Sequence, residues 1–191
     1  MYIGEFLNRR NKITICEIAL DESILNGAID LVFDVPYHLH HIDKGKEMNV
    51  VVFDLDGTLA DCSHRLHYIK GETKDWDGFY ASVKYDTPIP EMVKLYKSIH
   101  VLNKIVICTG RSDVCKNDTL DWLSDHGLTC DALYMRKAND RRPDYVVKLD
   151  LLNRMRHDKF DPYMVFEDRS QVVKMWRDAG IRCLQVCEGE Y

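Results

Sequence analysis

The stretch Val51-Val52-Phe53-Asp54-Leu55-Asp56-Gly57-Thr58 decides the reading of this chain, because an apolar run stops there at two carboxylates, a glycine and a hydroxyl. Such a run, bounded by a glycine, predicts a strand. Alternation along an extended chain sets Asp54 and Asp56 on one side with Leu55 pointing elsewhere, and Gly57 lets the chain turn. Two like charges this close are costly unless a cation lies between them, which is the arrangement a magnesium site needs. One carboxylate can attack phosphorus to give an aspartyl-phosphate. A second can protonate the leaving oxygen and then activate water. The fragment alone also fits a calcium loop or a tight turn, but calcium loops of the EF-hand type follow helices, and here a strand precedes.

Outward from this point, short apolar runs alternate with segments of helical periodicity. Strands are expected at 50–53, 104–108, 132–135, 163–166 and 181–186, and helices at 89–99, 118–126, 145–156 and 171–179. That alternation predicts an α/β fold with a parallel sheet flanked by helices. In the second helix Leu120 and Leu123 form an apolar stripe, with Gly127 just past the end as a stop. In the last, Ser170 is a plausible N-cap, and Val172, Val173 and Trp176 are spaced for burial. Residues 1–48 read as an N-terminal extension, with strands or a hairpin at 13–19 and 28–35 and a polar linker at 38–47; residues 49–191 read as the main domain. His38, His40 and His41 in the linker are either solvated or a metal site. Gly45-Lys46 is no phosphate loop, since the preceding glycine and the following Ser/Thr are missing.

Ligands of open α/β sheets bind at the carboxyl ends of the strands, so the residues just after each apolar run are the candidates. The second run ends in Thr109-Gly110-Arg111, where a hydroxyl, backbone N–H groups and a guanidinium can hold phosphoryl oxygens; the tripeptide alone also suits a helix cap. Lys148 lies on a helix whose apolar face would bury Val147 and Leu151, so it either snorkels to solvent or points inward to offset the charge of a phosphorylated aspartate. The fourth run ends in Glu167-Asp168, acids that would complete a magnesium shell, and a surface turn is the simpler alternative for that fragment.

A formal charge of −5 argues against a protein that coats nucleic acid or membrane, although a local basic cleft remains compatible. Seven cysteines with no CxxC pair indicate neither a disulfide framework nor a zinc ribbon, and fit reduced thiols in a cytoplasmic setting. No stretch approaches the ~20 apolar residues that cross a bilayer.

Together, Asp54-x-Asp56-Gly-Thr, Thr109-Gly-Arg111, Lys148 and Glu167-Asp168 resemble the motifs of the haloacid dehalogenase superfamily of phosphatases. Asp144-Tyr-Val-Val-Lys148, Glu167-Asp-Arg-Ser-Gln-Val-Val-Lys-Met-Trp-Arg177, Gln185-Val186 and Gly189-Glu190-Tyr191 are similar to the 3′-phosphatase domain of bacteriophage polynucleotide kinase-phosphatase. The resemblance implies a Rossmann-like sheet with a small or minimal cap. It makes Asp54 the nucleophile, Asp56 the general acid/base and Lys148 the charge stabiliser. It implies phosphate binding by Thr109, Gly110 and Arg111. It also implies Mg2+ held by Asp54, Asp56, Asp168 and Glu167. Glu167 departs from the usual aspartate, and its extra methylene can turn a direct metal contact into a water-mediated one. The resemblance includes no kinase domain.

The expected substrate is a 3′-phosphate at a nucleic acid end. A nucleotidase acting on free mononucleotides is the enzymatic alternative, and an inactive binding protein the non-enzymatic one. Room for a cap lies at 61–87, where His64, Arg65, His67, Tyr68, Trp76, Phe79 and Tyr80 either stack a base or form the insertion's own core. A basic loop carries Arg136, Lys137, Arg141 and Arg142, which either hold flanking phosphates or are merely solvated. Asp54→Asn, which removes a charge with little change in volume, is expected to abolish phosphate release while leaving the circular dichroism spectrum intact; activity near that of the unsubstituted protein would remove Asp54 from the nucleophile's role.

Overall fold

Every side chain of Val50–Phe53 is buried, an outcome open to a strand only where both faces of its sheet are covered. The computed structural model describes the backbone of residues 2–7 and 13–18 and all of residues 49–189. The chain divides into two units, Met1–Lys46 and Glu47–Tyr191. In the first, β1 (Tyr2–Leu7) pairs antiparallel with β2 (Ile13–Ile18). The strand expected at 13–19 is present, and its partner is the N-terminal segment. The strand expected at 28–35 and the linker with His38, His40 and His41 lie outside the described residues.

The second unit opens with β3 (Val50–Phe53). A two-stranded ribbon of β4 (Ala60–Asp61) and β5 (Thr87–Pro88) encloses an insertion built of a 3-10 turn (Ser63–Tyr68), α1 (Trp76–Ala81) and a second 3-10 turn (Val83–Tyr85). There follow α2 (Pro90–His100), β6 (Lys104–Ser112), α3 (Lys116–Asp125), β7 (Ala132–Arg136), α4 (Asp144–His157), β8 (Pro162–Arg169), α5 (Ser170–Asp178) and β9 (Arg182–Gly189). The five long strands form one parallel sheet in the order β7-β6-β3-β8-β9. This is the α/β architecture expected, with the small cap at the place left for it.

Alternation divides the core into two layers. Val50, Val52, Val106 and Val165 pack on one face against Val147, Leu151, Leu152 and Met155 of α4 and Val172, Val173 and Trp176 of α5. Val51, Phe53, Ile105 and Ile107 pack on the other against Met92 and Tyr96 of α2 and Trp122 and Leu123 of α3, where the Phe53 ring stacks on Phe166 at 4.5 Å. No helix among the described residues is long and apolar enough to cross a membrane. Six cysteines among them are free thiols.

Three expectations need correction. Leu120 is exposed, and the buried stripe of α3 is Thr119, Trp122 and Leu123, because the indole reaches inward to donate from Nε1 to the Asp86 carbonyl at 2.7 Å. Ser170 is the first helical residue of α5, not its cap; its hydroxyl accepts from Gln185 Nε2 at 3.1 Å instead. The strands also run past their apolar segments. β6 continues to Ser112 and β8 to Arg169, each with a register shift over its last residues, and such shifts re-aim side chains at a sheet edge. Gly127 does end α3 as expected, at φ +63°. Leu152→Ala, deleting a fully buried side chain between α4 and the sheet, is expected to lower the free energy of unfolding by about 2–5 kcal/mol in urea denaturation, and a loss below 1 kcal/mol would contradict this core.

Candidate active site

The order of strands turns back at β3, since the chain runs outward through β6 and β7 and then returns to β8 and β9 on the other side. A crevice opens at the carboxyl ends beside such a strand. After Phe53 the chain turns sharply: the Leu55 carbonyl accepts from the backbone N–H groups of Thr58, Leu59 and Ala60, and Gly57 takes φ +81°. The Asp54 N–H donates to the Phe166 carbonyl at 3.0 Å, which ties this turn to β8.

Lys148 is brought inward by the burial of Val147, Leu151 and Leu152 on α4, and it is itself 1% exposed. Its ammonium donates to Asp54 Oδ1 at 2.8 Å and to Glu167 Oε2 at 2.7 Å, with Asp144 at 3.6 Å. The surface alternative for Lys148 is therefore gone. Burial by itself would push the ammonium toward neutrality, but the carboxylates of Asp54 and Glu167 hold its pKa well above the ordinary value. Burial, reinforced by the mutual repulsion of Asp54 and Glu167, raises the pKa of Asp54 despite Lys148. Glu167 is raised as well, chiefly by burial.

The carboxylates of Asp54, Glu167 and Asp168, all buried, offer oxygens within 4.8 Å of one another. Three carboxylates with one lysine form an oxygen-donor set still short of positive charge, which suits a hard divalent cation such as magnesium. Glu167 thus lies within the group despite its extra methylene. Asp56, expected among the ligands, is not in it, because its carboxylate faces two guanidiniums. Its Oδ1 accepts from Arg65 Nη2 at 2.6 Å and from Arg111 Nε at 2.8 Å and Nη2 at 2.6 Å. Burial works against its ionisation, but Arg111 and then Arg65 outweigh it and hold this carboxyl below the usual range.

Both guanidiniums are fixed from behind by Asp86, a buried residue that nothing in the motifs signals. Its carboxylate accepts from Arg65 Nε (2.7 Å) and Nη2 (2.8 Å) and from Arg111 Nη2 (2.6 Å), and His64 Nε2 lies 2.8 Å away. Arg65 also lies 4.2 Å over the Phe79 ring. Asp86 and Arg65 belong to the insertion, so their role emerges only when the insertion folds back on the sheet. Asp144, at the start of α4, joins the site through β7 and α4 and not through the insertion. Its carboxylate accepts from Arg136 Nη2 at 2.9 Å and stands where a Cβ at position 110 would come within 2.5 Å of Oδ1, which explains the glycine between Thr109 and Arg111.

Asp54, Asp56, Gly110, Arg111 and Lys148 line one cavity of about 680 Å³, together with Trp76 and Tyr80 of the insertion and the basic loop. That volume is in the range of small-molecule pockets. Thr109 is fully buried, and its hydroxyl accepts from the Arg111 N–H at 3.2 Å. The basic loop separates into two kinds of residue. Arg136 is spent on the carbonyls of Gly110, Asp140 and Arg142, and Arg142 on Asp140 and Asp150, so these two fasten the loop. Lys137 reaches Asp113 at 3.5 Å, while Arg141 is exposed and forms no ion pair with a described residue.

The chain is similar to known proteins over most of its length. The family model of the polynucleotide kinase PNKP phosphatase domain matches residues 48–191. A protein of Autographa californica nuclear polyhedrosis virus, named as a bifunctional polynucleotide kinase/RNA ligase, is 33% identical over 132 residues, 69% of this chain and 18% of that protein. Among solved structures, a chain of the Pnkp1/Rnl/Hen1 RNA repair complex superposes with a TM-score of 0.63 at 26% identity, covering 75% of this chain and 44% of its own. A haloacid dehalogenase-like hydrolase of Streptococcus pneumoniae shares the fold at a TM-score of 0.54 and 14% identity, over 72% of this chain and 84% of that one. The chain thus spans less than half the length of the first two relatives.

Removing the buried ammonium leaves two carboxylates without compensation. Lys148→Met is expected to lower the unfolding free energy at pH 7 by about 3 kcal/mol in the absence of divalent metal, measured by urea denaturation; a change under about 0.5 kcal/mol would mean that Lys148 is not the cation neutralising Asp54 and Glu167.

Proposed function

The chain belongs to the polynucleotide kinase phosphatase-domain family and is a phosphatase of the haloacid dehalogenase type, and on that premise we propose that it removes 3′-phosphates from nucleic acid ends through an aspartyl-phosphate intermediate. The observation that carries the chemistry is the pairing of Lys148 with Asp54 inside a cavity that also holds Asp56, Arg111 and a cationic rim.

Asp54 is the nucleophile. Lys148 holds one of its carboxylate oxygens and keeps positive charge beside the carboxylate and the arriving phosphoryl group. As the new bond from the Asp54 oxygen to phosphorus forms, the bond from phosphorus to the 3′-oxygen breaks, and Asp56 delivers a proton to that oxygen. In the second half Asp56 takes a proton from water, whose oxygen attacks phosphorus, and the Asp54 carboxylate leaves as orthophosphate is released. Arg111 pairs with Asp56 in the resting site, and the oxygens of an incoming phosphate compete for the same guanidinium. That competition weakens the pull that keeps Asp56 ionised and favours its protonated, acid form.

Magnesium would be held by the carboxylates of Asp54, Glu167 and Asp168, and when bound it neutralises phosphoryl oxygens as charge develops on them. The enzymatic alternative is a nucleotidase, for which the same residues serve. The cationic rim favours the strand: nine Lys and Arg residues line the cavity against five Asp residues, in a chain whose formal charge is −5.

Phosphate release should be measured with magnesium from a 3′-phosphorylated oligonucleotide beside a 5′-phosphorylated one and 3′- and 5′-mononucleotides. The expected result is at least tenfold higher kcat/KM on the 3′-phosphorylated strand and no release after chelation by EDTA. A preference for mononucleotides would move the protein to nucleotide metabolism, and undiminished release in EDTA would remove the metal from the reaction.

A further inference from the structure

The aromatic residues of the insertion split into two kinds. Phe79 is 7% exposed and lies under the Arg65 guanidinium, so it belongs to the insertion's core. Trp76 is 41% exposed. It stacks on Tyr80 at 5.9 Å with the planes 26° apart and meets Phe79 edge-on at 5.9 Å and 86°. It is the first residue of α1, and Asp75 caps that helix by accepting from the Gly78 N–H at 2.8 Å. A large ring held by two neighbours and a helix cap loses little further freedom when a planar ligand packs on it.

Trp76 also shares the cavity with Asp54 and Arg111. Lys70, Lys74 and Arg141 line the same cavity, are exposed, and form no ion pair with any described residue, in contrast to Arg136 and Arg142. The Lys74 ammonium lies 5.6 Å from the Trp76 ring centre. An aromatic face beside exposed cations that form no ion pair with a described residue is the combination that holds a single strand, the ring taking a base and the cations the phosphates.

We infer that Trp76 is the stacking platform for the base of the 3′-terminal nucleotide, with Lys70, Lys74 and Arg141 neutralising the phosphates that precede it. The site thereby selects an unpaired strand end over a free mononucleotide, which has no preceding phosphate. This rests on the reading of the cavity as a 3′-phosphatase site.

The test is kcat/KM with magnesium on a 3′-phosphorylated single-stranded oligonucleotide, the same strand with a stable abasic analogue at its 3′ end, and a 3′-mononucleotide. Trp76→Ala is expected to lose about tenfold on the base-bearing strand, mainly through KM, and at least fivefold less than that on the abasic strand. Trp76→Phe should recover most of the loss. Lys74→Ala and Arg141→Ala should each flatten the dependence of log(kcat/KM) on log salt by about one unit or less, on both strands alike. Equal losses from Trp76→Ala on base-bearing and abasic strands, or no loss on either, would overturn the platform while leaving the 3′-phosphatase reading standing. If the unsubstituted protein prefers the mononucleotide, the reading of the site fails first and this inference with it.

Discussion

The ammonium of Lys148 lies between the carboxylates of Asp54 and Glu167, which come from different strands and are almost wholly buried. An uncompensated carboxylate is expensive at such depth, because it surrenders its hydration and receives little in return. Lysine supplies one charge to a group of three acids, so the cluster is poised to accept a second cation. The rest of the arrangement serves this centre. The apolar face of α4 fixes Lys148, the ladder of β3 with β8 brings Asp54 next to Glu167, and the turn around Leu55 aims Asp54 into the crevice.

A second charge assembly binds the insertion to the sheet. Arg65 and Asp86 come from the insertion, Asp56 and Arg111 from the ends of β3 and β6, and the four side chains alternate in sign around shared hydrogen bonds. Within it Asp56 is held near Arg111 and the position of the insertion is set. The wall carrying Trp76 therefore depends on the same arginines that face the reacting groups. This coupling explains why so small a cap has a defined place: its own core amounts to little more than Phe79 and Val83, and charge pairing supplies the rest. The free energy of this pairing depends on exclusion of water, since exposed ion pairs of the same type contribute little.

Much of this was legible in the sequence, and for local reasons. Val50–Phe53 could be read as a strand because four apolar residues in succession fit a sheet covered on both faces, and Gly57 and Gly127 marked turns that need positive φ. Asp54, Thr109, Lys148 and Glu167-Asp168 could be picked out because each follows an apolar run or sits on an apolar helix face. Leu120 misled, because hydropathy alone does not show that an indole three residues from Thr119 will reach across to the Asp86 carbonyl. Ser170 misled because β8 continues three residues past Phe166 and leads directly into α5, so that Arg169 takes the cap position.

The sequence by itself determined the order of the main strands and helices from residue 50 onward and the set of charged residues available at the strand ends, because burial of apolar side chains is periodic along the chain. Only the tertiary structure decided how those charges pair. Asp56 paired with Arg65 and Arg111, Asp86 became the anchor of both guanidiniums, and Arg136 and Arg142 were consumed in fastening a loop whose Arg141 stayed exposed. Charge pairing acts between residues far apart in sequence and changes sharply with a few ångströms of distance and with loss of water, so it carries no period that a sequence can display.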